Sequence, residues 1–104
     1  MTQDAEPDPA EHFNAALDAL DGGDLSRAIR ELEVVVSILP TDGEAVLLLA
    51  KAERDQGSIE RAEGRLKALI KAQPDALDAY VELAEIALDR GAPGEAAQLV
   101  ARVL

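Results

Sequence analysis

Glycine returns at a fixed interval in this chain: Gly23, Gly57 and Gly91 are spaced by 34 residues. Four further columns keep the same register without insertion. They are Ala16, Ala50 and Ala84; Ala28, Ala62 and Ala96; Leu32, Leu66 and Val100; and Pro40 with Pro74. A period of this length means that one supersecondary unit is stacked upon itself. Such a unit cannot bury its apolar face alone, and about three are needed for a stable core. The 104 residues divide into a flexible acidic tail at 1–8 and one domain at 9–104, with units at 9–42, 43–76 and 77–104.

Each unit reads as two helices. Asp8-Pro9-Ala10-Glu11 offers a capping carboxylate, a proline at the first helical position and a glutamate near it. Thr41-Asp42-Gly43-Glu44 repeats that logic, and Asp75-Ala76-Leu77-Asp78 is a weaker version. The repeated glycine ends the first helix, because only glycine takes the left-handed turn without strain. Pro40 and Pro74 end the second, since a residue before proline avoids the helical region. Ala28, Leu32, Val35, Val36 and Leu39 follow a helical apolar spacing, and Ala62, Leu66, Leu69 and Ile70 repeat it. The spacing predicts helices at 9–21, 25–39, 43–56, 59–72, 76–90 and 93–103. Gly64 falls inside the fourth, where the other units have Arg30 and Gln98, so an exposed position is expected.

Composition removes several function classes. The net charge of −11 argues against a nucleic-acid backbone or an anionic membrane surface as partner. With no cysteine and one histidine, neither a disulfide scaffold nor a His/Cys metal site can be assembled. The acidic start lacks the basic and apolar regions of a signal peptide, so a cytoplasmic location is expected. Seven arginines to three lysines in an alanine-rich chain lean towards a bacterial source. Aromatic residues are Phe13 and Tyr80 alone, so the core must come from Ala, Leu, Val and Ile. Catalysis has little to work with. His12, in the first turn of the first helix, is read as structural, and Ser26, Ser37 and Ser58 have no histidine at a motif spacing. Gly22-Gly23 is an interhelix turn rather than a phosphate loop. Asp18 with Asp21, and Glu82 with Glu85 and Asp89, would attract cations only weakly. No enzyme activity and no cofactor are expected.

The columns resemble the tetratricopeptide repeat. Leu49-Ala50 and Leu83-Ala84 fill its large–small pair, and Ala15-Ala16 fills it imperfectly. Ala28, Ala62 and Ala96 match its alanine, and Pro40 and Pro74 its closing proline. His12, Val46 and Tyr80 stand at its bulky position. The resemblance implies an all-α solenoid of three helix–turn–helix repeats with right-handed superhelical twist. It also implies that the first helices line a concave groove. In the family register the groove residues are Phe13, Leu17, Leu20, Leu47, Lys51, Arg54, Val81, Glu85 and Leu88, with Glu44, Asp78 and Glu82 near the rim. An apolar centre with one acidic flank suits a protein segment that has apolar anchors and basic flanks. Some members clamp a partner's terminal carboxylates with basic residues. The matching positions are Phe13, Leu17, Leu48, Asp78 and Glu82, none of them basic, so that mode is not expected.

The implied role is a non-catalytic adaptor. Two alternatives accompany it: a small chaperone that shields an apolar client, and a self-assembling scaffold. The scaffold reading rests on the last helix. Arrays of this family usually close with a solvating helix, whereas here Leu99, Val103 and Leu104 are expected to lie open in a lone monomer. At the position of Leu99 the other units have Glu31 and Arg65. A homodimer through these residues would bury them on both copies. The second helix of unit two carries a basic stripe, Arg61, Arg65, Lys67 and Lys71, read chiefly as a solvated face.

Overall fold

A computed structural model describes residues 8–104. Six helices follow one another: α1 (Pro9–Asp21), α2 (Leu25–Ile38), α3 (Gly43–Gln56), α4 (Ile59–Ala72), α5 (Leu77–Asp89) and α6 (Pro93–Ala101). No strand occurs among the described residues. The expected tail falls almost entirely on 1–7, outside the described residues, while Asp8 belongs to the cap of α1.

The ends of the helices have local causes. Asp8, Asp24 and Asp42 accept backbone N–H bonds from Ala10, Arg27 and Ala45, at 2.9, 3.0 and 3.2 Å. Each satisfies one of the donors that a helix start leaves free. At α5 the cap position is Ala76, which has no side-chain acceptor, and the helix begins one residue later than its spacing predicts. Gly23, Gly57 and Gly91 take φ of 77°, 97° and 75°, which a Cβ would strain. After each of them the next N–H donates to a carbonyl five residues back: Asp24 to Ala19, Ser58 to Glu53, Ala92 to Ala87. One turn geometry is thus used three times. Leu39 and Gln73, each before a proline, leave the helical region at φ −124° and −135°. Helix α6 stops two residues short of expectation, at Ala101.

Packing follows the small columns. Ala16, Ala28, Ala50, Ala62, Ala84 and Ala96 are all buried, so backbones approach closely where helices cross. Leu32, Leu49 and Leu66 fill the space between pairs and are fully enclosed. Successive helices pack on one another, and α3 also meets α5 directly. On the other side, α4 and α6 flank a depression of about 380 Å³ floored by Tyr80 and Leu83 of α5. The result is an elongated body of 56 × 27 × 19 Å. Gly64 is exposed, with open space where a Cβ would stand.

Candidate functional site

Along the face built from the first helix of each pair, side-chain chemistry changes from helix to helix. Helix α1 contributes Phe13, Leu17 and Leu20, α3 contributes Leu47, Lys51 and Arg54, and α5 contributes Asp78, Val81, Glu82, Glu85 and Leu88. Among the predicted residues, charge is carried by Glu44, Lys51 and Arg54 of α3 and by the carboxylates of α5, whereas those of α1 are apolar.

The cations of α3 and the carboxylates of α5 meet. Arg54 Nη1 donates to Glu85 Oε1 at 2.8 Å, and its Nε donates to Asp89 Oδ2 at 3.0 Å. Hydrogen bonding to Asp89 comes first among the causes that raise the Arg54 pKa above its ordinary value; partial burial opposes it, and Glu85 adds to it. Lys51 Nζ stands 3.6 Å from Glu82 Oε2. The carboxylates read as a weak cation trap thus have a cation of the chain's own among them. Asp89 was outside the predicted groove set, although an aspartate recurs at Asp21, Asp55 and Asp89 and that column was the available signal.

Five predicted residues, Leu47, Lys51, Asp78, Val81 and Glu82, line one depression of about 250 Å³ between α3 and α5. Glu82 is buried rather than at the rim. Its place in the α5 spiral turns it towards α3, in the column where α3 carries Leu48. Phe13 and Glu44 line a different depression, about 310 Å³, with Pro9, Asn14, Val35 and Leu39. Leu20 packs into the core beside Ile29 and Leu32. Leu17, Val81 and Leu88 are exposed, at 38, 38 and 58%.

The predicted self-association residues divide. Leu99 is half-buried rather than fully open, packed against the core beside Ala84, Ala87 and Ala96. A leucine in place of the polar residue of the other pairs fits there because Ala87 faces it. Val103 is half-buried, and Val100 and Leu104 are exposed.

The basic stripe of α4 is partly structural. Arg65 Nε donates to both oxygens of Glu53, at 2.8 and 2.9 Å, and Glu53 is only 1% exposed. Arg61 and Arg65 also approach Glu33, and Lys67 pairs with Glu63. Glu63 takes two hydrogen bonds from Arg90. His12 Nδ1 and Glu31 Oε1 lie 2.6 Å apart, which ties α1 to α2.

The comparisons agree with this architecture. A family model described as tetratricopeptide repeat matches residues 47–104, more than half of the chain. The crystal structure of MamA protein superposes with a TM-score of 0.79 at 22% sequence identity, over 90% of this chain and 51% of that one. This chain therefore spans about half the length of that structure. Comparison with curated proteins yields no match.

Proposed function

The chain belongs to the tetratricopeptide repeat family, and from that premise we propose that residues 9–104 form a non-catalytic adaptor whose α1/α3/α5 face holds a segment of another protein. Folds of this family generally mediate protein–protein interaction. The observation that carries the reading is the exposure of Leu17, Val81 and Leu88 on the helices whose intervening surface is charged. Full burial of such a side chain from water contributes roughly 1.5–3 kcal/mol, and the part still exposed at these three is what a docked partner would recover. Carboxylates outnumber cations on α5, which favours basic flanks on that segment. The amphipathic occupant is extended or helical, with its apolar residues spaced to meet the three exposed ones. No described helix is long and apolar enough to cross a membrane.

The test is a pulldown from native extract with the wild-type chain beside Leu17→Glu with Val81→Glu. A partner retained by the first and lost by the second supports the adaptor. Equal recovery by both removes it. A second reading, self-association through the predicted Leu99, Val103 and Leu104, is favoured by the exposure of Val100 on α6. Light scattering at micromolar concentration decides it: a monomer excludes the scaffold and leaves the adaptor standing.

A further inference from the structure

Glu82 is 7% exposed, and its Oε1 has no protein donor within hydrogen-bonding distance. The nearest cations hold back from it. Arg54 Nη1 is 3.7 Å from Oε1 and spends its hydrogen bonds on Glu85 and Asp89 instead. Lys51 Nζ is 3.6 Å from Oε2, and its side chain is 55% exposed. A buried carboxylate without a donor is costly to keep, so its orientation into a depression is a feature to be explained.

We propose that the depression between α3 and α5 receives one cationic side chain, Lys or Arg, of the bound protein segment, which docks on Glu82 in place of Lys51. The inference rests on the adaptor reading and specifies one contact within it. The depression has about 250 Å³, against about 30 Å³ for the share of one water in the liquid, so it has room for a long side chain. Leu47 and Val81 form apolar walls for a methylene stem, and Asp78 and Glu82 receive the charged head. Charge selects the sign of the ligand. Lys51 and Arg54 stand against Glu82, Glu85 and Asp89, and Asp78 lines the same depression, so the patch keeps an excess of carboxylate after its own cations are counted. An anionic side chain would have to draw Arg54 away from two short hydrogen bonds. A cationic one need only displace Lys51, which makes no short contact. Lys51 therefore acts as an internal competitor, a weak plug that keeps the carboxylate partly neutralised until a better-fitting cation arrives.

The probe is a random heptapeptide display library, selected on the wild-type protein. A selected peptide is then synthesised with its basic residue intact and with norleucine in its place. Selected peptides are expected to carry a Lys or Arg. Norleucine in the peptide, or Glu82→Gln in the protein, is expected to weaken binding about tenfold, as loss of a charged hydrogen bond does. Lys51→Met is expected to tighten it severalfold, because the competitor is gone. Should Glu82→Gln lose its helical circular dichroism, exposed Asp78→Asn and Lys51→Met carry the test. Tighter binding by Lys51→Met supports the exchange, and weaker binding by it overturns the exchange. Selected peptides that bind equally with norleucine overturn the inference and leave the adaptor intact. Failure to select any peptide overturns both.

Discussion

The elbow between α3 and α4 is closed by Glu53 and Arg65, two charges joined by a pair of short hydrogen bonds. The elbow between α5 and α6 has Ala87 and Leu99 at the matching positions, 34 residues on, and closes by apolar contact. The backbone turn is the same at both, ending on a left-handed glycine. The same joint is therefore made in two chemistries. A buried ion pair recovers its desolvation cost only with good geometry, and apolar replacements of similar volume are often equal or better. What Glu53 and Arg65 add is a fixed geometry: Arg65 must reach inward, and it also approaches Glu33 of α2. The central elbow is thus closed by charge and the last elbow by shape, although the last pair keeps charged ties to the pair before it through Arg54 with Glu85 and Asp89 and through Arg90 with Glu63.

The comparison breaks most readily at Arg65. Arg65→Leu alone leaves Glu53 buried without a partner and is expected to cost about 3–5 kcal/mol in urea denaturation. Adding Glu53→Ala, which copies the last elbow, is expected to return most of that loss. If the double variant is no more stable than the single one, the two elbows are not interchangeable. Ala62→Leu, at a 0% exposed crossing of α4, is expected to overpack the centre and cost about 1–3 kcal/mol. Ala96→Leu should cost less, because α6 is short and packs chiefly on α5. An equal drop in denaturation midpoint would mean that the last pair is as constrained as the middle one. Arg54→Met removes ion pairs that are partly open to water, so it is expected to cost about 1 kcal/mol or less, and less again in high salt. A loss independent of salt would point to packing of the arginine stem. The smallest effect expected is a gain. Gly64→Ala, in open space on α4, should stabilise by about 0.5–1 kcal/mol, read as a raised melting temperature.

The helices were legible because their punctuation repeats. Proline, glycine and a capping aspartate act on the two or three residues beside them, so their effect does not depend on the rest of the fold. The elbow chemistry was not legible, because it depends on which side chains meet. Glu53 stands in a column where the other pairs have Ala19 and Ala87. A lone charge in an alanine column was the clue, and Arg65 in the column of Glu31 and Leu99 was its complement. Glu82 misled for the same reason. Its charge suggested a rim, whereas Leu48 in its column indicated a half-buried position. The candidate face was recovered only in part. Adjacent helices bring Leu47, Lys51, Asp78, Val81 and Glu82 into one depression, but Phe13 and Glu44 serve another and Leu20 belongs to the core.

That each helix packs on its sequence neighbours, with α3 also reaching α5, bears on how the molecule comes apart. Contacts so local cost little chain closure, which places folding in the fast class of helical arrays. There is also no single keystone. In an array of this kind stability is carried interface by interface, so the least supported helices open first. Helix α6, with 9 residues and no side-chain cap, is the element whose amides are expected to exchange with solvent first. The α3–α4 pair is expected to exchange last. Unzipping towards the centre would leave the Lys51–Glu82 depression without its α5 wall well before the central pair has melted, so the depression would vanish by local opening of the array rather than by its collapse.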